Sequence, residues 1–141
     1  MHTVSKDISF SAGHCLANYN GPCHNFHGHN FLIKVAIQGP VLDNRGLLID
    51  FTEIKEKVKK WVDRFWDHKF LISKNDCRAK KLMKFKGSGI VLFHTNPTAE
   101  NLSKHLFFIC KNELKLKWVQ SITVYETDTS CATYSEDRSC F

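Results

Sequence analysis

Apolar and polar residues alternate over two stretches near the start of the chain, at about residues 3–17 and 25–38. In the first, Ile8, Phe10, Ala12 and His14 share a side, and in the second His27, His29, Phe31, Ile33, Val35 and Ile37 do. Successive strand side chains point to opposite faces, so this period of two predicts two half-buried strands. The Gly/Pro turn at residues 18–22 predicts that they pair as an antiparallel hairpin. Beyond turns at Gly39-Pro40 and Asn44-Arg45-Gly46 the period becomes helical. Phe51, Ile54, Val58, Trp61, Val62 and Phe65 form an apolar stripe, with Asp50 as N-cap and Glu53 as its capping-box partner. A second helix is predicted with Asn96 as cap, Pro97 in its first turn, and Ala99, Leu102, Leu106 and Ile109 on its buried side. A short apolar strand at residues 89–93 separates the helices. A last strand at 118–126 carries Trp118, Ile122, Val124 and Glu126 on one face. The order ββαβαβ predicts an α+β domain: a four-stranded, mainly antiparallel sheet with two helices over one face.

Composition narrows the class. The chain has 141 residues, 43% hydrophobic and 12% aromatic, enough for one domain, residues 1–141, with a moderate core and well outside the disordered range. No run of eighteen apolar residues occurs and the first seven residues are polar, so a cytoplasmic protein with no membrane partner is expected. Six cysteines (15, 23, 77, 110, 131 and 140) could form three disulfides, but without an export signal reduced thiols are expected. The net charge of +6 is concentrated partly in residues 78–86, which reads as a solvated loop. A basic surface attracts a phosphorylated small molecule as well as it attracts RNA, and with no recognisable nucleic-acid module no nucleic-acid partner is expected.

The candidate chemistry lies at the strand ends. His27 and His29, two apart, share a face, and His14 is available from the first strand, a donor set that suits zinc (Zn2+). Three histidines leave a coordination position open, as catalytic zinc sites do, although any single histidine among them also reads as an ordinary core or surface side chain. Cys23 sits in a turn four residues before His27, where a nearby cation favours its thiolate; it reads as a nucleophile or base, or as a fourth ligand. Asp67-His68 places a carboxylate beside an imidazole, also a common polar turn. Glu126 shares its strand face with apolar residues and so needs a partner, either a functional one or an internal salt bridge.

Phe10-x-Ala12-x-His14, Cys23-x-x-x-His27-Gly28-His29, Gly46-x-x-x-Asp50-Phe51, Asp67-His68, Asn96-Pro97-Thr98-Ala99-Glu100-Asn101 and Tyr125-Glu126-Thr127 occur in that order. Together they resemble the family of 6-pyruvoyl-tetrahydropterin and 6-carboxytetrahydropterin synthases, over nearly the whole chain. The resemblance implies the tunnelling fold, in which three subunits close their sheets into a barrel and two trimers stack as a homohexamer with active sites at subunit interfaces. It also implies zinc on His14, His27 and His29, proton abstraction by Cys23 with Asp67 and His68 as acid/base partners, and Glu126 anchoring a pterin ring. Thr98 and Glu100 resemble further pterin contacts.

Within the family, the cysteine four residues before the His-Gly-His motif and the ending from Glu126 to Tyr134 look more like the bacterial enzymes of queuosine biosynthesis. That likeness implies conversion of 7,8-dihydroneopterin triphosphate to 6-carboxy-5,6,7,8-tetrahydropterin, triphosphate and acetaldehyde. Two alternatives stand beside it: formation of 6-pyruvoyltetrahydropterin from the same substrate, and a non-catalytic zinc-stabilised binding protein in which Cys23 closes the site.

Overall fold

The structure, a computed structural model, describes residues 1–85, 87 and 89–136. Its first two strands, β1 (His2–His14) and β2 (His27–Gly39), pair antiparallel along their whole length, as the alternation predicts. The register sets Phe10 opposite Phe31, Ala12 opposite His29 and His14 opposite His27. Their inward face is the floor of the core: Phe31, Ile33, Val35 and Ile37 are fully buried, and Phe10 stacks on Phe31 with ring centroids 4.9 Å apart. The outward face is polar, carrying Asp7 with Lys34 and Ser11 with Asn30.

The sheet has six strands where the sequence pattern predicts four. β3 (Phe70–Ser73), β4 (Ile90–Phe93), β5 (Val119–Thr127) and β6 (Ser130–Ser135) complete the order β4-β3-β1-β2-β5-β6. The expected strand at 89–93 is β4. It runs parallel to β3, which in turn runs parallel to β1, so the sheet is mixed. β3 and β6 escape the pattern for physical reasons. Leu71, Ile72 and Ser73 are all buried, without alternation, whereas no residue of β6 is fully buried.

Both long helices cover the inward face. The first spans 51–65 and contains a π turn at Lys55–Lys59. A row of residues spaced by four drifts about 40° per step around an ideal α-helix, and the wider π turn offsets that drift. The buried row is therefore Ile54, Val58, Val62 and Trp66, whereas Phe51 and Phe65 of the predicted stripe are exposed. Asp50 does cap this helix, accepting from the Thr52 N–H at 2.8 Å, but Glu53 does not close a capping box; it pairs with Lys57 one turn on. The last helix, 99–113, buries Ala99, Leu102, Leu106 and Ile109 as predicted. Its cap is Thr98, whose Oγ1 accepts from the Asn101 N–H, and not Asn96.

Two further expectations are corrected. Trp118 precedes β5 with φ at +62° and packs over Gly39, and a bulge between Ala36 and Ile37 brings Val119 to the inward face in its place. The basic stretch is not a simple solvated loop: Ala79–Leu82 is helical, Ala79 is buried, and Arg78 is engaged while its lysines are exposed. Lys86 lies outside the described residues. The five described cysteines are free thiols, and Cys140 lies outside the described residues. No described helix is long and apolar enough to cross a membrane.

Candidate active site

Strand parity delivers the three imidazoles to one place. His14 ends β1, His27 begins β2 opposite it, and His29 follows two residues on, so all three lie on the helix-covered face beyond Phe10 and Phe31. Their ring centroids are 4.6–5.0 Å apart, and one ligand atom from each lies within 4.8 Å of the others. Gly28 between them is needed for this approach, because a Cβ there would fall 2.8 Å from the Ala12 carbonyl oxygen.

The rings are oriented by backbone carbonyls. His14 Nδ1 is 2.8 Å from the Pro97 oxygen and His27 Nδ1 is 2.8 Å from the Asn25 oxygen. A carbonyl only accepts, so Nδ1 carries the proton in both rings and Nε2 presents its lone pair. The Nε2 atoms of His14, His27 and His29 are all buried, with no hydrogen-bond partner among the described residues. Buried polar atoms are otherwise almost always paired, so three converging orphaned ring nitrogens, two of them fixed as acceptors, fit a metal ion. Burial pushes His14 down to about 4, against the Pro97 carbonyl and with the help of neighbouring His27 and His29. Burial also lowers His29, although Glu126 opposes it. Both rings are therefore held in the neutral form that a metal requires.

Glu126, from β5, reaches this cluster. Its Oε1 is 3.9 Å from His14 Nε2, and its side chain is about a quarter exposed. Cys23 is not a member of the histidine cluster; it is half-buried in the short 3₁₀ turn Pro22–His24.

Asp67 and His68 lie at the open edge of β1. Asp67 Oδ1 accepts from the Ser11 N–H at 2.9 Å, and Oδ2 is 2.7 Å from His68 Nδ1. Burial raises the Asp67 carboxyl, but the Ser11 and His68 hydrogen bonds outweigh it and leave the group below the ordinary carboxylate value. His68 holds a left-handed φ of +57°, an unusual conformation for a residue with a Cβ, and its side chain is 83% exposed. His68, His27 and His29 border one open concavity of about 630 Å³ together with Ser11, Phe26 and Phe70. Cys23, Thr98, Glu100 and Glu126 do not line it. Thr98 spends its oxygen on the helix cap, and Glu100 is exposed in the first turn of that helix.

Sequence reasoning missed the supports of this site. Asn96 is a clamp: Oδ1 accepts from the Ala17 N–H at 2.8 Å and Nδ2 donates to the Ala17 carbonyl at 3.0 Å, which holds Pro97 against His14. The readable signal was Thr98, a good cap directly before the first apolar helical residue, which frees Asn96 for another task. The Pro97 and Asn25 carbonyls carry no side-chain signal at all.

A mixed α+β sheet with three inward imidazoles, a neighbouring carboxylate and an edge Asp–His pair defines a protein with a candidate histidine metal centre. The family described as 6-pyruvoyl tetrahydropterin synthase matches residues 3–137, and the chain belongs to that family. A Rickettsia typhi protein named 6-carboxy-5,6,7,8-tetrahydropterin synthase is 34% identical over 135 residues, covering 90% of this chain and 95% of that protein. A Haemophilus influenzae protein of the same name is 33% identical over 144 residues, covering 96% and 100%. Among solved structures, the 6-pyruvoyl tetrahydropterin synthase of Caenorhabditis elegans is 26% identical, with a TM-score of 0.72 and coverage of 96% of this chain and 95% of that one.

Proposed function

We propose that the chain, as a single catalytic domain, is a zinc-dependent 6-carboxy-5,6,7,8-tetrahydropterin synthase of queuosine biosynthesis. With water, it converts 7,8-dihydroneopterin triphosphate to 6-carboxytetrahydropterin, triphosphate and acetaldehyde. The observation that carries this reading is the convergence of three buried, orphaned Nε2 atoms beside the Glu126 carboxylate, in a chain whose relatives at 33–34% identity bear that enzyme's name.

His14, His27 and His29 would hold the zinc, which when bound supplies a Lewis acid for the side-chain hydroxyls of the substrate. Cys23 takes a side-chain proton as thiolate, and His68, its exposed ring held at Nδ1 by Asp67, relays protons through Nε2. Glu126 accepts hydrogen bonds from the amino and amide N–H groups of the pterin ring, with Thr98 and Glu100 as further contacts. Cys23 and Glu126 lie apart from the concavity that His68 borders, which supports completion of the site between subunits; the assembly in this reading is a cytoplasmic homohexamer. The separation of Cys23 from the histidine cluster favours an open catalytic site over a closed, purely structural one.

The test is to incubate the purified protein with zinc and dihydroneopterin triphosphate and to identify the pterin by mass. 6-Carboxytetrahydropterin together with acetaldehyde is expected. The mass of 6-pyruvoyltetrahydropterin would establish the alternative reaction, and unchanged substrate would favour the binding-protein reading.

A further inference from the structure

The Cys23 turn is held from outside by a charged residue that the reaction scheme does not use. Residues 15–26 connect β1 to β2 with no regular structure except the three-residue turn at Pro22–His24. The guanidinium of Arg78 reaches both stems of this connection. Its Nη1 donates to the His24 carbonyl at 2.6 Å, its Nη2 donates to the Leu16 carbonyl at 3.4 Å, and its Cζ lies 5.1 Å from the centre of the Phe26 ring. Between these stems the Leu16 N–H donates to the carbonyl of Cys23 itself at 2.9 Å.

Arg78 is fixed in turn. Asp76, whose side chain is 2% exposed, accepts from Arg78 Nε at 2.9 Å, from Nη2 at 2.7 Å and from the Arg78 backbone N–H at 2.9 Å. The Cys15 thiol donates to the same carboxylate at 3.8 Å. A planar fork can satisfy a carboxylate on one edge and carbonyls on another, whereas a lysine ammonium cannot span the same set.

We propose that Arg78, locked by Asp76, is a positioning residue that sets the Cys23 thiol for proton transfer. This rests on the reading of Cys23 as the group that takes the proton. Asn96 secures Ala17 on the other flank, so the two anchors hold adjacent residues of one stem. Displacement of a reacting group by about an ångström can cost roughly a hundredfold in rate without changing substrate affinity.

The test compares Arg78→Lys, the double variant Asp76→Asn/Arg78→Met, and Cys23→Ala with the parent enzyme. The double variant removes the ion pair without stranding a buried carboxylate, and carries the test if Arg78→Lys does not fold. Four quantities are measured: kcat, KM, bound zinc, and the rate of Cys23 alkylation by iodoacetamide from pH 6 to 9, read from its peptide mass, with exposed Cys131 as internal control. The expected result is a fall in kcat of about tenfold with KM within about twofold, zinc unchanged, and Cys23 alkylation altered by about threefold or more while Cys131 is unaffected. Parental kcat and parental Cys23 alkylation in both Arg78 variants would overturn the proposal, as would parallel loss of zinc and turnover. Full turnover in Cys23→Ala would sink the proton-transfer reading instead, and an altered alkylation rate would still register the hold of Arg78 on the turn.

Discussion

The imidazole of His14 and the carbonyl of Pro97, 83 positions apart in the chain, meet at 2.8 Å. The contact joins the end of β1 to the entry of the last helix and decides which nitrogen of His14 faces the other two histidines. Asn96, directly before Pro97, binds Ala17 through both ends of its amide and so anchors the segment that carries this carbonyl. Asn96→Ala is therefore expected to destabilise the protein by about 1–3 kcal/mol and to weaken zinc binding about tenfold, the usual range for support of a metal ligand. Urea unfolding of the metal-free protein and competition with a chromophoric chelator measure the two effects separately. Unchanged metal affinity would show that Pro97 holds His14 without the clamp.

His27→Ala or His29→Ala should abolish tight zinc binding and turnover while leaving the fold intact. The core lies further along the same strands, where Phe31, Ile33, Val35 and Ile37 are fully buried, so the sheet does not need the imidazoles. Metal analysis and circular dichroism on the same sample check this. A full equivalent of tightly held zinc in either variant would refute the ligand set.

Glu126→Gln should weaken binding of a pterin analogue about tenfold to a hundredfold, because a carboxamide turns a donor toward one of the ring N–H groups. Loss of a charge-assisted hydrogen bond is worth roughly 1.5–3 kcal/mol. Calorimetry with metal analysis separates this effect from any disturbance of His14, 3.9 Å away. Unchanged affinity would leave Glu126 a structural carboxylate and shift attention to Glu100.

Acid should release the Asp76 lock. The hydrogen bonds from Arg78 hold the Asp76 carboxyl below its ordinary value of 3.8 in spite of burial. Below that value the unfolded chain binds more protons than the folded one. The contribution of Asp76 to stability is thus complete above about pH 4 and is lost as pH falls through the lower, folded-state pKa. Urea unfolding of the parent and Asp76→Asn from pH 7 to pH 2 should show a stability gap that narrows only below about pH 4. A gap that stays constant to pH 2 would place the acid sensitivity elsewhere.

The hairpin and the shared face of His14, His27 and His29 were legible because strand parity is local: once residues 8–14 and 27–37 are strands, side-chain direction follows from counting. The helices were legible from their stripes, although the π turn moved the buried row from Phe65 to Trp66. β3 was not legible, since Phe70–Ser73 is a short run whose parallel partners, β1 and β4, lie far away in sequence. Arg78 was hidden in a charge run because its partners are the backbone carbonyls of His24 and Leu16 together with Asp76, and composition does not report carbonyls.

The pairing of Ala12 with His29 and of His14 with His27 would also make a metal bound there an inspector of folding. A hairpin slipped by a single residue would turn His27 and His29 to the opposite side of the sheet from His14 and separate the three rings. Only a correctly aligned pair of strands can capture the ion. Metal uptake followed during refolding would therefore time the alignment of β1 with β2, and a fully loaded preparation would certify that alignment in every molecule.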